Sequence, residues 1–180
     1  GAAVTVITSG RNRQLPSRLI LPGVGSFRRA ALSLKARGLD EMLLGHVNSE
    51  RPLLGICLGF QLLFNNGLED GFSPGLGLFQ GSVAPFKTHN LPNIRIPHVG
   101  FNNCVAENSP RLFSGLKSAP DFYFNHSFRV TESGSLFTRG DSYYGETFVS
   151  YAEEGNVFGS QFHPEKSQKN GLVFLRNFLT

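Results

Sequence analysis

The sequence predicts an α/β fold: an open, mostly parallel sheet flanked by helices, with an antiparallel β excursion in its second half. Three observations predict it. Short apolar strands alternate with helical patterns early in the chain, in a βαβα order. Many of the 21 glycines sit inside apolar segments rather than in linkers, which suits tight strand-to-helix turns. Beyond Asn65, glycine and proline punctuate short β-rich pieces. With 180 residues and no repeat or linker, the chain reads as one domain over 1–180, long enough to bury a core.

The elements follow in order. Val4 to Thr8 is β-branched and reads as a strand, and Arg18 to Leu21 as another, ending at Pro22-Gly23-Val24-Gly25. Arg28 to Gly38 is a helix with Ala30, Ala31 and Leu34 on one face and Gly38 as its stop. Asp40 caps a second helix through Val47. Arg51 to Ile56 is a buried strand entering Gly55-Ile56-Cys57-Leu58-Gly59, and Phe60 to Phe64 continues as helix. Tyr123 to Val130, Ser135 to Thr138 and Thr147 to Ala152 are β-rich, and Val157 to Phe162 is a strand delivering His163. Asn170 to Leu179 closes as an amphipathic helix, with Leu172, Leu175, Phe178 and Leu179 expected inward.

Composition excludes several classes. The net charge of +4 is mild, and Arg28-Arg29 with Lys35 and Arg37 is the one basic cluster, so no nucleic-acid partner is expected. Cys57 and Cys104 make no disulfide framework and have no metal-ligand spacing, so no metal or cofactor is expected. They fit a reducing cytoplasm. No apolar run approaches the roughly 20 residues of a membrane span, and no signal peptide opens the chain. Seventeen Phe and no Trp form a bias that the sequence does not explain.

The chemistry gathers at two places. Cys57, between a strand and a helix and flanked by Gly55 and Gly59, is presented on a sharp turn at the positive end of a helix. Backbone N–H groups and the helix dipole there favour the thiolate. Gln161-Phe162-His163-Pro164-Glu165-Lys166-Ser167 offers a base, His163, and a carboxylate, Glu165, that orients it at i+2 of an extended segment. The N–H of Leu58 is a candidate oxyanion donor, and the Pro22–Gly25 loop supplies a second. Cys104 has no glycine elbow and no adjacent base, and is expected to be structural. His126 and His98 either fill the core or line the site; His46 and His89 read as surface residues.

These residues resemble the class I (triad) glutamine amidotransferases, whose fold is flavodoxin-like. Within that class they are most similar to the glutaminase subunits of imidazole glycerol phosphate synthase. The likeness rests on Leu21–Gly25, Gly55–Phe64, Leu76-Gly77-Leu78 with Gly81, Pro97–Asn102, Tyr123–Phe128 and Phe158–Ser167, in the family's order. It implies glutamine hydrolysis to glutamate and ammonia through a thioester on Cys57, with His163 and Glu165 completing the triad. It implies further that Gly23, Gly25 and Leu58 surround the oxyanion, and that Gln61, His126, Ser127 and Phe128 line the substrate. Ammonia then passes to a (β/α)8 synthase subunit in a heterodimer, with Phe101, Tyr123 and Lys166 near the interface, for histidine biosynthesis. Phe101 stands where the family usually has tryptophan, Asn125 where an apolar residue is common, and Phe128 where tyrosine is frequent. Family members also begin with a strand and helix before the region of Val4–Thr8, so an N-terminal βα unit is expected to be missing. Two alternatives use the same triad: an amidotransferase subunit for surface-polysaccharide sugar modification, and a partner-independent γ-glutamyl or cysteine peptidase.

Overall fold

The computed structural model describes residues 2–11, 15–87, 94–108, 110–131 and 137–180. In chain order these form β1 (Leu19–Leu21), α1 (Phe27–Ala36), α2 (Leu39–Asn48), β2 (Leu53–Ile56), α3 (Leu58–Leu62), β3 (Phe64–Gly67), β4 (Ser73–Pro74) and β5 (Phe79–Pro85). There follow β6 (His98–Asn103), β7 (Val105–Ala106), β8 (Asp121–His126), β9 (Phe128–Thr131), β10 (Thr138–Tyr144), β11 (Glu146–Glu154), β12 (Val157–Ser160) and α4 (Gln168–Leu179). Short 3-10 turns occupy Arg111–Phe113 and Pro164–Lys166.

The main sheet runs β1-β2-β12-β11-β9-β5-β3-β4, with β10 on β11 and β7 on β10; β6 and β8 pair separately. β1, β2 and β12 are parallel, as are β3 and β5. The expected α/β class with its antiparallel excursion is therefore present, the excursion being β11, β10, β9 and the β6–β8 pair. β2 has neighbours on both edges and is buried along its length, and its successive side chains serve opposite faces. Leu53 joins a core with Phe27, Phe60, Phe64 and Phe79. Leu54 joins the other, with Phe122, Phe124, Phe162, Phe174 and Phe178. The phenylalanine bias thus has a physical place. Phe122 and Phe162 stack at 3.8 Å, and Phe113 and Phe174 meet them edge-on.

Several expectations are corrected. Val4–Thr8 forms no strand: Val4 and Val6 are 84% and 81% exposed, and only Ile7 packs on the first core. β-branched residues become a strand only when a ladder partner lies alongside, and β1 ends the sheet on its side. α2 begins at Leu39, capped by Gly38 in the left-handed region at φ 64°, not at Asp40; Asp40 lies in the first turn, where its charge meets the helix dipole favourably. Helix α3 stops at Leu62, and Phe64 opens β3. In α4 the inward face is Gly171, Phe174 and Phe178, while Leu172 and Leu179 are exposed. A Cβ on Gly171 would lie 1.8 Å from the Pro164 carbonyl oxygen, so the helix approaches the preceding turn on that side and Leu172 rotates outward. Of the β piece expected at Ser135–Thr138, residues 135 and 136 lie outside the described residues, as does His89.

Candidate active site

Three chain segments meet at one cleft of about 300 Å³. The first is the turn from β2 into α3. Cys57 sits there at φ 54° and ψ −110°, a conformation that a non-glycine residue holds only when its surroundings impose it. Its N–H donates to the Ser160 carbonyl at 2.8 Å, which ties the bend to the end of β12. The flanking glycines are demanded by proximity. A Cβ on Gly59 would stand 1.8 Å from the Leu21 carbonyl oxygen, and one on Gly55 would stand 2.8 Å from the Gly59 carbonyl oxygen.

The second segment is the loop after β1. Gly23 packs against Leu58 and Gly59, leaving about 3.0 Å between its would-be Cβ and that of Leu58. Val24 and Gly25 line the cleft, Gly25 at φ 99°.

The third segment follows β12. His163 donates its backbone N–H to the Tyr123 carbonyl at 2.8 Å. Ser167 Oγ clamps the same junction, donating to the His163 carbonyl at 2.6 Å and accepting the Tyr123 N–H at 2.9 Å. His163 Nδ1 lies 2.7 Å from Glu165 Oε1. That contact arises because Pro164 starts a 3-10 turn that folds Glu165 back, rather than from the extended segment expected. A proton on Nδ1 facing the carboxylate leaves Nε2 as the base. His163 and Cys57 line the same cleft.

Burial opposes ionisation of the sulfur. Cys57 is 7% exposed, and burial pushes its thiol up to about 11. The Leu58 N–H bonded to it and the charge of Lys166 lower it, but the Glu165 carboxylate opposes them. Burial therefore outweighs the donors that favour the anion at this turn.

Gln61, His126, Ser127 and Phe128 all line the cleft. His126 satisfies both of its sequence readings: it is buried and hydrogen-bonded, and it borders the cleft. His98 is buried behind it, between the rings of Phe124 and Tyr144, and does not line the cleft. Burial pulls His98 down to about 4 and His126 to about 3, so both are neutral. Contrary to expectation, His46 is fully buried, with Nε2 3.0 Å from the Pro52 carbonyl oxygen. Cys104 is buried and accepts a bond from Ser150 Oγ, as expected of a structural thiol.

Phe101, Tyr123 and Lys166 come together, and Lys166 also lines the cleft. Phe101 meets Tyr123 edge-on at 5.7 Å, and Lys166 Nζ stands 5.7 Å from the Tyr123 ring. Phe101 is 52% exposed.

Sequence reasoning missed Glu69. Its carboxylate lines the cleft and accepts the Phe27 N–H at 2.7 Å, at the first turn of α1. Contacts across 42 residues or more, those of Glu69 and Asp70 with the start of α1, place it there, and no local pattern marks it. Among the described residues no cluster of ligands could hold a metal ion, and no helix is long and apolar enough to cross a membrane.

The glutamine amidotransferase class-I family model matches residues 3–180. The chain is 40% identical to imidazole glycerol phosphate synthase subunit HisH 1 of Campylobacter jejuni (strain RM1221), over 99% of this chain and 88% of that protein. It is 41% identical to subunit HisH of Pyrococcus furiosus, over 89% and 80%. A crystal structure of a glutamine amidotransferase superposes with a TM-score of 0.70 at 18% identity, over 97% of this chain and 85% of that one. PurLQS from Thermotoga maritima gives 0.66 at 18% identity, over 91% and 78%.

Proposed function

The chain belongs to the class I glutamine amidotransferases, within the group of imidazole glycerol phosphate synthase HisH subunits, and from that membership we propose that it hydrolyses glutamine and hands the ammonia to a (β/α)8 synthase partner in histidine biosynthesis. The observation that carries the chemistry is one cleft holding a cysteine on a strained elbow and a histidine bonded to glutamate. His163 Nε2 takes the proton from Cys57, and the sulfur attacks the carboxamide carbon of glutamine. The Leu58 N–H and a peptide N–H of the Val24–Gly25 loop receive the oxyanion. His163 returns the proton to the leaving nitrogen, and ammonia departs as the thioester forms. Water, deprotonated by His163, then releases glutamate, and Glu165 holds the ring in the productive tautomer throughout.

Gln61, His126, Ser127 and Phe128 hold the substrate, and Glu69 is the carboxylate suited to its α-ammonium group. The raised Cys57 thiol supports low activity without the partner, since little sulfur is ionised near neutrality. The exposed Phe101 beside Tyr123 and Lys166 supports a partner seated over the cleft mouth, where a sealed joint keeps ammonia from protonation and loss. A single domain in a reducing cytoplasm suits an enzyme whose nucleophile must remain a thiol. The identity to HisH subunits favours histidine biosynthesis over surface-polysaccharide modification.

Glutamate release is the test, measured for the chain and for Cys57→Ala, each alone and with a (β/α)8 synthase subunit added. Weak activity alone, strong stimulation by the partner and none with Cys57→Ala are expected. Activity that survives Cys57→Ala would reject the triad, and peptide cleavage without partner would favour the peptidase.

A further inference from the structure

Behind the cleft a run of side chains has its hydrogen-bond directions fixed from one end. The Phe128 carbonyl can only accept, and it faces Gln61 at 3.0 Å and His126 Nδ1 at 2.7 Å. Gln61 must therefore present its amide nitrogen there, and His126 must carry its proton on Nδ1. The remaining lone pair, on His126 Nε2, accepts from His98 Nδ1 at 3.0 Å. Gln61 Nε2 also meets Gln161 Oε1 at 2.9 Å, which commits both of its protons. With its oxygen so engaged, Gln161 has only its nitrogen to turn toward Cys57 Sγ, 3.9 Å away. The reverse orientation would set two donors against each other at Gln61. The Cys57 S–H points to the Asn125 carbonyl at 3.9 Å, so the sulfur is free to accept from Gln161. Gln161 is fully buried and Gln61 is 4% exposed, so water does not substitute for these partners.

We propose that Gln161 is a positioning residue with two outputs. It locks the Gln61 amide so that only the carbonyl oxygen is left for a ligand, and it aims an N–H at the Cys57 sulfur. The first output selects a hydrogen-bond donor on the substrate, such as the α-ammonium group of an amino acid, and rejects a carboxylate at that point. The second favours the sulfur anion during attack without taking part in proton transfer. The substrate half rests on the glutaminase reading; the sulfur half rests on geometry alone.

Both halves are read on the chain without a synthase partner, by iodoacetamide alkylation of Cys57. Cys57→Ala, which leaves only the buried Cys104, sets the background. Gln161→Met keeps the length of the side chain and removes both bonds. It is expected to move the midpoint of the alkylation pH profile up by about one unit. It is also expected to raise about tenfold the L-glutamine concentration that half-protects Cys57. In a Gln61→Met background the same change should add nothing further to glutamine protection, while the pH shift persists. A merely structural role would move both readouts in both backgrounds. Gln161→Asn, which retracts the amide by one methylene, is expected to move both in the same directions and serves if Gln161→Met lacks a cooperative melt.

An unchanged pH profile in Gln161→Met overturns the sulfur half. Unchanged protection, or a loss that adds fully to that of Gln61→Met, overturns the substrate half. If glutamine fails to protect even the unaltered chain, the glutaminase reading falls, and the pH profile still decides the sulfur half.

Discussion

Gly59→Ala probes the contact on which the elbow is built. The added Cβ would stand 1.8 Å from the Leu21 carbonyl oxygen and 2.7 Å from its carbon, where ordinary contact begins at 3.4 Å. Both obstacles are backbone atoms of β1, so no rotamer change relieves the clash, and α3 must retreat from β1 by about 1.6 Å. Overpacking of this kind costs about 2–3 kcal/mol, which for a chain of this size lowers Tm by about 5–10 °C. The same retreat carries Leu58 and Cys57 off their positions. A 1 Å error in a reacting group costs about 100-fold in rate. Gly45→Ala in α2 is the control, because nothing lies within 4 Å of its Cβ; replacing a helical glycine there should stabilise by about 0.5–1 kcal/mol. Melting followed by circular dichroism and glutamate release with the partner subunit read the two effects. A Gly59→Ala protein that melts with the unaltered chain and keeps its kcat would refute the close-approach explanation.

Glu165→Gln preserves the shape but offers His163 Nδ1 an amide, and kcat should fall about 10³-fold or more with KM little changed; steady-state kinetics decide it, and a loss under tenfold would deny Glu165 its orienting role. Alkylation of Cys57 in the chain alone should still be rising between about pH 8 and pH 10, because burial holds the thiol to about 11. A plateau reached near neutrality would show a thiolate already formed. His98 and His126 are neutral when folded and protonate near 6.5 when unfolded, so the unfolded chain binds more protons between there and about 4 and 3. Their contribution to stability is therefore complete above 6.5 and is lost as pH falls through that window. Urea unfolding from pH 7 to pH 4 should show that slope, and His98→Phe should flatten it while lowering stability at pH 7, since His126 Nε2 loses its donor.

Much of the site was legible because its motifs are local. Gly55 and Gly59 around Cys57 announce a bend from five consecutive residues, and His163 and Glu165 are two apart. The Gln61 carbonyl, by contrast, is oriented by Phe128 and Gln161 together, and Glu69 is tied at the cleft by a bond to Phe27. Neither partnership leaves a mark in nearby sequence.

By itself the sequence determined which residues could do the chemistry and the order of strand, elbow and helix, because side-chain type and glycine placement act over a few bonds. Tertiary structure decided what those groups become. It buried the Cys57 sulfur and so raised its thiol, turned Leu172 outward through the approach of Gly171 to Pro164, left Val4–Thr8 without a ladder, and buried His46. Desolvation, close backbone contact and strand pairing depend on neighbours distant along the chain, and those neighbours are assigned only when the sheet has formed.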